Sequence, residues 1–298
     1  MSEPTVTASG PILPPHSPPL PEPQRFAASD GYGLAYRLWR SAGSPRVLIV
    51  ALHGIQSHSG WYGYSSAELA EAGYAVAFLD RRGSGANEIA RGDTPHADRL
   101  VNDVVQFVSH LERTGFGGLP RVLTAVSWGG KLAAAVAARR SDLFDGLALL
   151  CPGLCSHVRA NPAQRAALRL ANAAGAGRRE VSVPLGDPAL FTDVPEYQEF
   201  IRRDPLALRR VTVRFLAASL TLDALIRRDA AAIRCPSLLM LAGRDRIVDN
   251  AATRRLVASF GSPVKTLLDY PEARHTLEFE PNRDRFVADL TEWLERTT

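Results

Sequence analysis

The stretch Val122–Lys131, VLTAVSWGGK, reads as a short buried strand over Val122–Val126. It runs into an alanine-rich helix from about Lys131 to Arg139, with Ser127 at the corner. A strand-to-helix corner this tight holds its central residue in a strained backbone conformation, so the residues two before and two after it must be small. Ala125 and Gly129 meet that requirement, although Ala125 is one methyl larger than the first glycine of the usual G-x-S-x-G pattern. The helix N-terminus that follows offers unpaired N–H groups at the place where an oxyanion would form. A serine here could equally be an ordinary helix cap. The loops elsewhere in the chain have to separate the two readings.

Upstream, Gln24–Ala28 and Leu34–Arg40 flank the turn residues SDGYG and read as an antiparallel hairpin. Arg46–Leu52 (RVLIVAL) is a continuous apolar run, too short for a helix and suited to a buried parallel strand. The loop His53–Gly60 follows it, then a helix over Tyr64–Glu71 and a strand over Tyr74–Leu79. The next loop opens Asp80-Arg81-Arg82-Gly83, and the simpler reading of Asp80 and Arg82 is a structural network. Residues Ala97–Thr114 repeat apolar side chains at helical spacing, and Gly115–Pro120 ends that helix. Downstream, strands are expected at Leu147–Leu150, Leu238–Leu241 and Lys265–Asp269, with helices at Ala251–Phe260 and from about Asp284 to Arg296.

Strands alternating with helices call for a mostly parallel sheet covered by helices on both faces. Right-handed crossovers bring the loops that start at His53, Asp80, Ser127, Asp245 and His275 to one edge of that sheet. Residues 154–233 interrupt the alternation and read as an inserted helical cap, between core segments 24–153 and 234–298. Residues 1–23 are proline-rich, cannot bury much surface, and are expected to be a disordered tail.

The chain has 298 residues, enough for one large α/β domain with an insertion. The net charge of +4 comes almost entirely from arginine, with lysine only at Lys131 and Lys265. No dense basic block with interleaved aromatics suggests nucleic-acid binding. Cys151, Cys155 and Cys235 match no zinc spacing and read as reduced, buried small hydrophobes, so no metal is expected. No secretory leader and no run of ~18 apolar residues is present, which makes a cytoplasmic location the expectation.

If Ser127 is a nucleophile it needs a base, because a free hydroxyl attacks poorly near neutral pH. His16 lies in the tail, His110 inside a helix, and His53 and His58 flank the first glycine loop. His157 and His275 follow the serine. His275 sits between the last strand and the last helix, on the expected edge, whereas His157 falls in the cap. For the acid that orients the imidazole, Asp245 stands just past the strand Leu238–Leu241, with Asp249 as its rival. The order Ser127…Asp245…His275 is the one in which a serine, an acid and a histidine follow one another on sheets of this kind.

The segments LHGIQSHSGWY, FLDRRGSGAN, AVSWGG, LMLAGRDRIVDN and EARHTLEFE resemble the α/β-hydrolase superfamily, and within it the monoacylglycerol lipase and lysophospholipase-like serine hydrolases. The resemblance runs from about Gln24 to the C-terminus. It implies an α/β-hydrolase fold and hydrolysis of carboxylic esters, monoacylglycerol- or lysophospholipid-like, through Ser127, Asp245 and His275, with no cofactor. It also implies an oxyanion hole from the backbone N–H groups of Ile55 and Trp128, and a cap over the acyl pocket. His53, Gly54, Arg209 and Phe215 are the candidate substrate contacts. Trp128 stands where such proteins often carry Met or Gln. The arginines around the cap's apolar positions read most simply as the solvated basic face of an amphipathic helix, and in the sharper reading as a basic rim that would favour anionic lipids or a membrane surface. A peptidase, an acyltransferase, or a non-catalytic binding protein on the same fold are the alternatives. A dehalogenase would want Asp in place of Ser127.

Overall fold

The computed structural model describes residues 12–298. Its centre is an eight-stranded sheet in the order β1-β2-β4-β3-β5-β6-β9-β10. The strands are β1 (Gln24–Ala27), β2 (Gly33–Trp39), β3 (Leu48–Leu52), β4 (Ala75–Leu79), β5 (Arg121–Val126), β6 (Gly146–Leu150), β9 (Ser237–Ala242) and β10 (Lys265–Tyr270). β1–β2 and β2–β4 pair antiparallel and all the other neighbours pair parallel. Every residue of β3, β4, β6 and β9 is buried, as their unbroken apolar runs require of strands covered on both faces. The register sets Leu52 beside Ala125 and Val126 beside Leu150, so β3, β5 and β6 end together. Their following loops therefore meet on one edge.

Five helices pack on the sheet: α1 (Gly63–Glu71), α2 (Ala97–Leu111), α3 (Trp128–Arg139), α7 (Asn250–Ala258) and α8 (Asp284–Thr297). α2 is shorter than the periodicity predicts. It gives way to a wide turn over Glu112–Phe116, where Gly115 adopts φ 111°. Conversely, α3 begins at Trp128, immediately after the serine, rather than near Lys131.

Between β6 and β9 the chain leaves the sheet and builds α4 (Pro162–Ala173), α5 (Pro195–Arg203) and α6 (Val213–Asp229). It also forms a two-stranded antiparallel ribbon of β7 (Glu180–Ser182) and β8 (Arg210–Thr212), which helical patterning did not anticipate. α5 and α6 bury apolar faces, but none of α4 is buried and Leu170 is 70% exposed. Among the described residues, no helix is long and apolar enough to cross a membrane.

Part of the expected disordered tail, residues 1–11, lies outside the described residues. Residues 12–23 depart from that expectation: they lie against the body. The Tyr197 hydroxyl donates to Pro15 O at 3.0 Å, Arg283 donates to His16 O at 2.9 Å, and Arg37 donates to Pro21 O. Leu20 packs at Gly63, where a β-carbon would come within 2.5 Å of it. Proline lowers the entropy lost on ordering such a segment, so a few carbonyl contacts and one apolar anchor suffice.

Candidate active site

Ser127 has φ 53° and ψ −125°, a left-handed conformation that few non-glycine residues adopt. The surroundings enforce it. Ser127 N–H donates to Leu150 O at 3.1 Å, and Ser127 O accepts from Gly130 and Gly153. Gly129 is obligatory: a β-carbon there would lie 2.6 Å from His53 O and 2.7 Å from Leu52 O. At the other flank, Ala125 is fully buried and its methyl is accommodated within the sheet core.

His275 lies in the loop after β10, with Nε2 2.8 Å from Ser127 Oγ and Nδ1 2.7 Å from Asp245 Oδ2. Asp245 follows β9. Its other oxygen accepts the N–H groups of Ile247 at 2.7 Å and Val248 at 3.0 Å. Burial alone would raise the Asp245 pKa, but His275 and those two amides outweigh it and hold the carboxyl below its usual range. An ionised acid in contact with Nδ1 leaves Nε2 free to accept the serine proton. The rivals are elsewhere. Asp249 caps α7 by accepting Ala252 N–H at 2.9 Å, and His157 is exposed, with its backbone N–H on Ile247 O.

Gly54, Ile55 and Gln56 line the small cleft beside Ser127, together with Phe191 and His275. Among the described residues, the amides of Ile55 and Trp128 donate to no protein acceptor, which leaves both available to an oxyanion. A β-carbon at Gly54 would stand 3.2 Å from that of Ser127, so a side chain there would crowd the elbow.

Three of the four expected substrate contacts do something else. His53 is fully buried. Its Nε2 accepts Arg81 N–H at 2.9 Å and its Nδ1 is 2.8 Å from Gly54 O, so both ring nitrogens are occupied. Burial, helped by the Arg81 charge, lowers its pKa to about 3 and keeps it neutral. It ties the loop after β3 to the loop after β4. Arg209 turns its guanidinium onto the carbonyls of Ile201 and Arg202 at the end of α5. Phe215 is buried behind the site, 5.0 Å from the Trp128 ring. The basic rim is largely neutralised: Arg202 pairs with Glu199, Arg210 with Glu180, Arg214 with Asp93 and Arg228 with Asp229.

Asp80 and Arg82 are structural, as the simpler reading has it. Asp80 accepts the N–H groups of Ser59 and Ala86, and Arg82 forms a two-pronged contact with Asp103 at 2.8 Å. Phe191 escaped sequence reasoning altogether. It stands edge-on to His275 at 5.9 Å, carried there by an irregular stretch of the insertion that has no pattern to read.

Residues 43–282 match the family model described as Serine aminopeptidase, S33. The chain is 26% identical to a monoacylglycerol lipase of Mycolicibacterium smegmatis, over 90% of this chain and 95% of that one. It is 29% identical to the monoglyceride lipase of Homo sapiens, over 91% and 89%. Its fold superposes on the monoacylglycerol lipase of Paleococcus ferrophilus with a TM-score of 0.80 at 24% identity, covering 89% of this chain and 99% of that one. It also superposes on a soluble variant of the monoglyceride lipase of Saccharomyces cerevisiae with a TM-score of 0.84 at 21% identity, covering 96% and 99%. The chain thus has the α/β-hydrolase fold and belongs to the family described as Serine aminopeptidase, S33.

Proposed function

We propose that this protein is a serine hydrolase that cleaves the carboxylic ester of monoacylglycerol-like lipids. The observation that carries the reading is the unbroken contact chain from Ser127 Oγ through His275 to Asp245, at 2.8 and 2.7 Å, on a strained elbow. The lipid substrate is supported by the monoacylglycerol lipases among its relatives.

In this mechanism His275 Nε2 takes the Ser127 proton while Oγ attacks the ester carbonyl. The carbonyl oxygen becomes an oxyanion held by the amides of Ile55 and Trp128; one such donor is worth about 3–4 kcal/mol in a comparable enzyme. The C–O bond breaks, the glycerol oxygen leaves with the proton from His275, and the acyl group stays on Ser127. Water, deprotonated by His275, then attacks the acyl carbonyl and releases the fatty acid.

Residues 154–233 act as the cap over the acyl site. The free space beside Ser127 is about 10 Å³, room for about one water, so an acyl chain reaches Oγ only when the segment carrying Phe191 shifts. α4, with Leu170 outward and Arg165 and Arg169 on the same helix, is the surface that meets lipid. Three unpaired cysteines, all buried, fit a reducing cytoplasm.

The test is hydrolysis of monoacylglycerols and of p-nitrophenyl esters of graded chain length by the wild type and Ser127→Ala. Turnover that disappears in the variant supports a serine esterase. Labelling by a fluorophosphonate without ester turnover would instead favour a peptidase or acyltransferase.

A further inference from the structure

Arg81 is a buried cation without a carboxylate hydrogen-bond partner. It is 3% exposed, and among the described residues its Nε has no acceptor. Its Nη2 donates to Ile55 O at 3.0 Å, and its Nη1 lies 3.5 Å from Arg82 O. The guanidinium carbon sits 4.9 Å from the Trp128 ring and 4.8 Å from the Phe215 ring, and those two rings are 5.0 Å apart. The backbone of Arg81 is itself pinned by His53. Burying a guanidinium this way is costly unless its charge is used, since one carbonyl and two aromatic faces replace little of its hydration. Desolvation lowers its pKa to about 9, which leaves it cationic at neutral pH. Asp80, Arg91 and Tyr32 are the ionisable groups whose fields reach it.

The two residues that Arg81 touches on the site side, Ile55 and Trp128, are the two whose amides are free beside Ser127. They come from separate loops, after β3 and after β5. We propose that Arg81 is the positioning residue of the oxyanion hole: its guanidinium holds Ile55 by the carbonyl and Trp128 by the indole, and its positive charge favours the tetrahedral oxyanion. This rests on the Ser127–His275–Asp245 reading and adds to it. Arg81 acts through the two donors and does not contact the reacting atoms. A positive charge in a dry site acts over longer range than in water, so it stabilises a transition state that gains negative charge more than a neutral ester.

The test compares Arg81→Met, which keeps bulk and removes charge, with Arg81→Lys, which keeps charge without the planar fork. Steady-state hydrolysis of a short p-nitrophenyl ester is measured together with inhibition by an alkylboronic acid, whose tetrahedral adduct on a serine mimics the intermediate. Arg81→Met should lower kcat about 10- to 100-fold with KM within about threefold, and weaken the boronic acid by a similar factor. Arg81→Lys should recover most of that loss near pH 7. It should then lose activity as the pH rises from 7 towards 8, where Arg81 in the wild type stays cationic, because a buried lysine sheds its proton far below its usual range. A folded Arg81→Met with wild-type kcat overturns the proposal. If that variant does not fold, an Arg81→Lys pH profile parallel to the wild type overturns it. Ser127→Ala is run beside both: activity surviving there would sink the serine-hydrolase reading itself, whereas its loss with Arg81→Met unaffected sinks the role of Arg81 alone.

Discussion

Trp128 and Ser219 meet across the joint between the elbow helix and the insertion: the indole Nε1–H of Trp128 donates to Ser219 Oγ at 3.0 Å. Lys131, one turn along α3, donates to the same hydroxyl at 3.0 Å and pairs with Asp223 at 2.8 Å. α6 is therefore fastened to the helix whose first residue follows Ser127, while no residue of α4 is fully buried.

Ser219→Ala leaves a buried indole N–H without an acceptor. The expected loss of stability is about 1–3 kcal/mol, read as a lower urea midpoint with an unchanged m-value. Lys131→Met on top of it should cost only what the Asp223 pair contributes, because the contact with the Ser219 hydroxyl is already gone and the two effects are not additive.

Asp245→Asn should reduce kcat by about 10⁴-fold with KM little changed, the size of effect seen when the acid of a comparable triad is neutralised. Asp249→Asn should keep kcat within a few-fold of the wild type, since Asp249 serves only as the cap of α7 and asparagine caps equally well. Steady-state kinetics of the two variants side by side separates them. A large kcat loss in the second variant would reassign the acid.

Glu278 is fully buried behind His275. Its Oε1 accepts Ser65 N–H at 3.0 Å, and among the described residues its Oε2 has no partner. Burial pushes its pKa from the ordinary 4.5 up to about 7. Between those values the folded protein holds a proton that the unfolded chain has lost, so stability is full below about pH 4.5 and falls as the pH rises through 7. Glu278→Gln removes this penalty. It should be up to about 3 kcal/mol more stable than the wild type at pH 8 and equal to it near pH 4.5, in urea titrations at the two pH values. A gain of the same size at both would disprove the linkage.

At the elbow, Gly129→Ala would drive a β-carbon into the carbonyls of Leu52 and His53, which are held in the sheet edge and cannot yield. A loss of at least about 2 kcal/mol in stability is expected, with a fall in fluorophosphonate labelling of Ser127. Ala125→Gly, which restores the commoner residue, should retain labelling and cost about 0.5–1 kcal/mol from backbone entropy. Thermal melts and a labelling time course check both.

Most of the sheet was legible because its strands are unbroken apolar runs of five or six residues closed by glycine, aspartate or histidine. Arg46–Leu52 and Leu238–Leu241 were located within two residues at either end. Ser127, Asp245 and His275, which the structure brings together, were also legible as candidates, since each lies in a loop that follows a strand on the same sheet edge. His53 misled for the same reason. It too follows a strand at the right edge, and nothing local reveals that Arg81 N–H and Gly54 O consume both its nitrogens.

The arginines of the insertion are a related case. In the chain they form a basic run, while their acidic partners Glu180 and Asp93 lie far away in sequence. Residues 12–23 looked unable to order themselves because they carry little to bury. The carbonyl acceptors they offer to Arg37, Tyr197 and Arg283 become useful only once those side chains are in place.

Periodicity and spacing thus decided the fold class, the edge of the sheet where the candidate site lies, and the serine, aspartate and histidine that meet there. These follow from local backbone preference and from the handedness of crossovers, which short stretches of sequence encode. Folding in three dimensions decided which neighbours of that edge face substrate and which hold the loops together. It placed Phe191 beside His275, Ser219 under Trp128, and the Arg81 charge against both Ile55 and Trp128. Those pairings join residues from 26 to 91 positions apart in the sequence, and contacts at such separation depend on how whole elements pack rather than on any pattern within one of them.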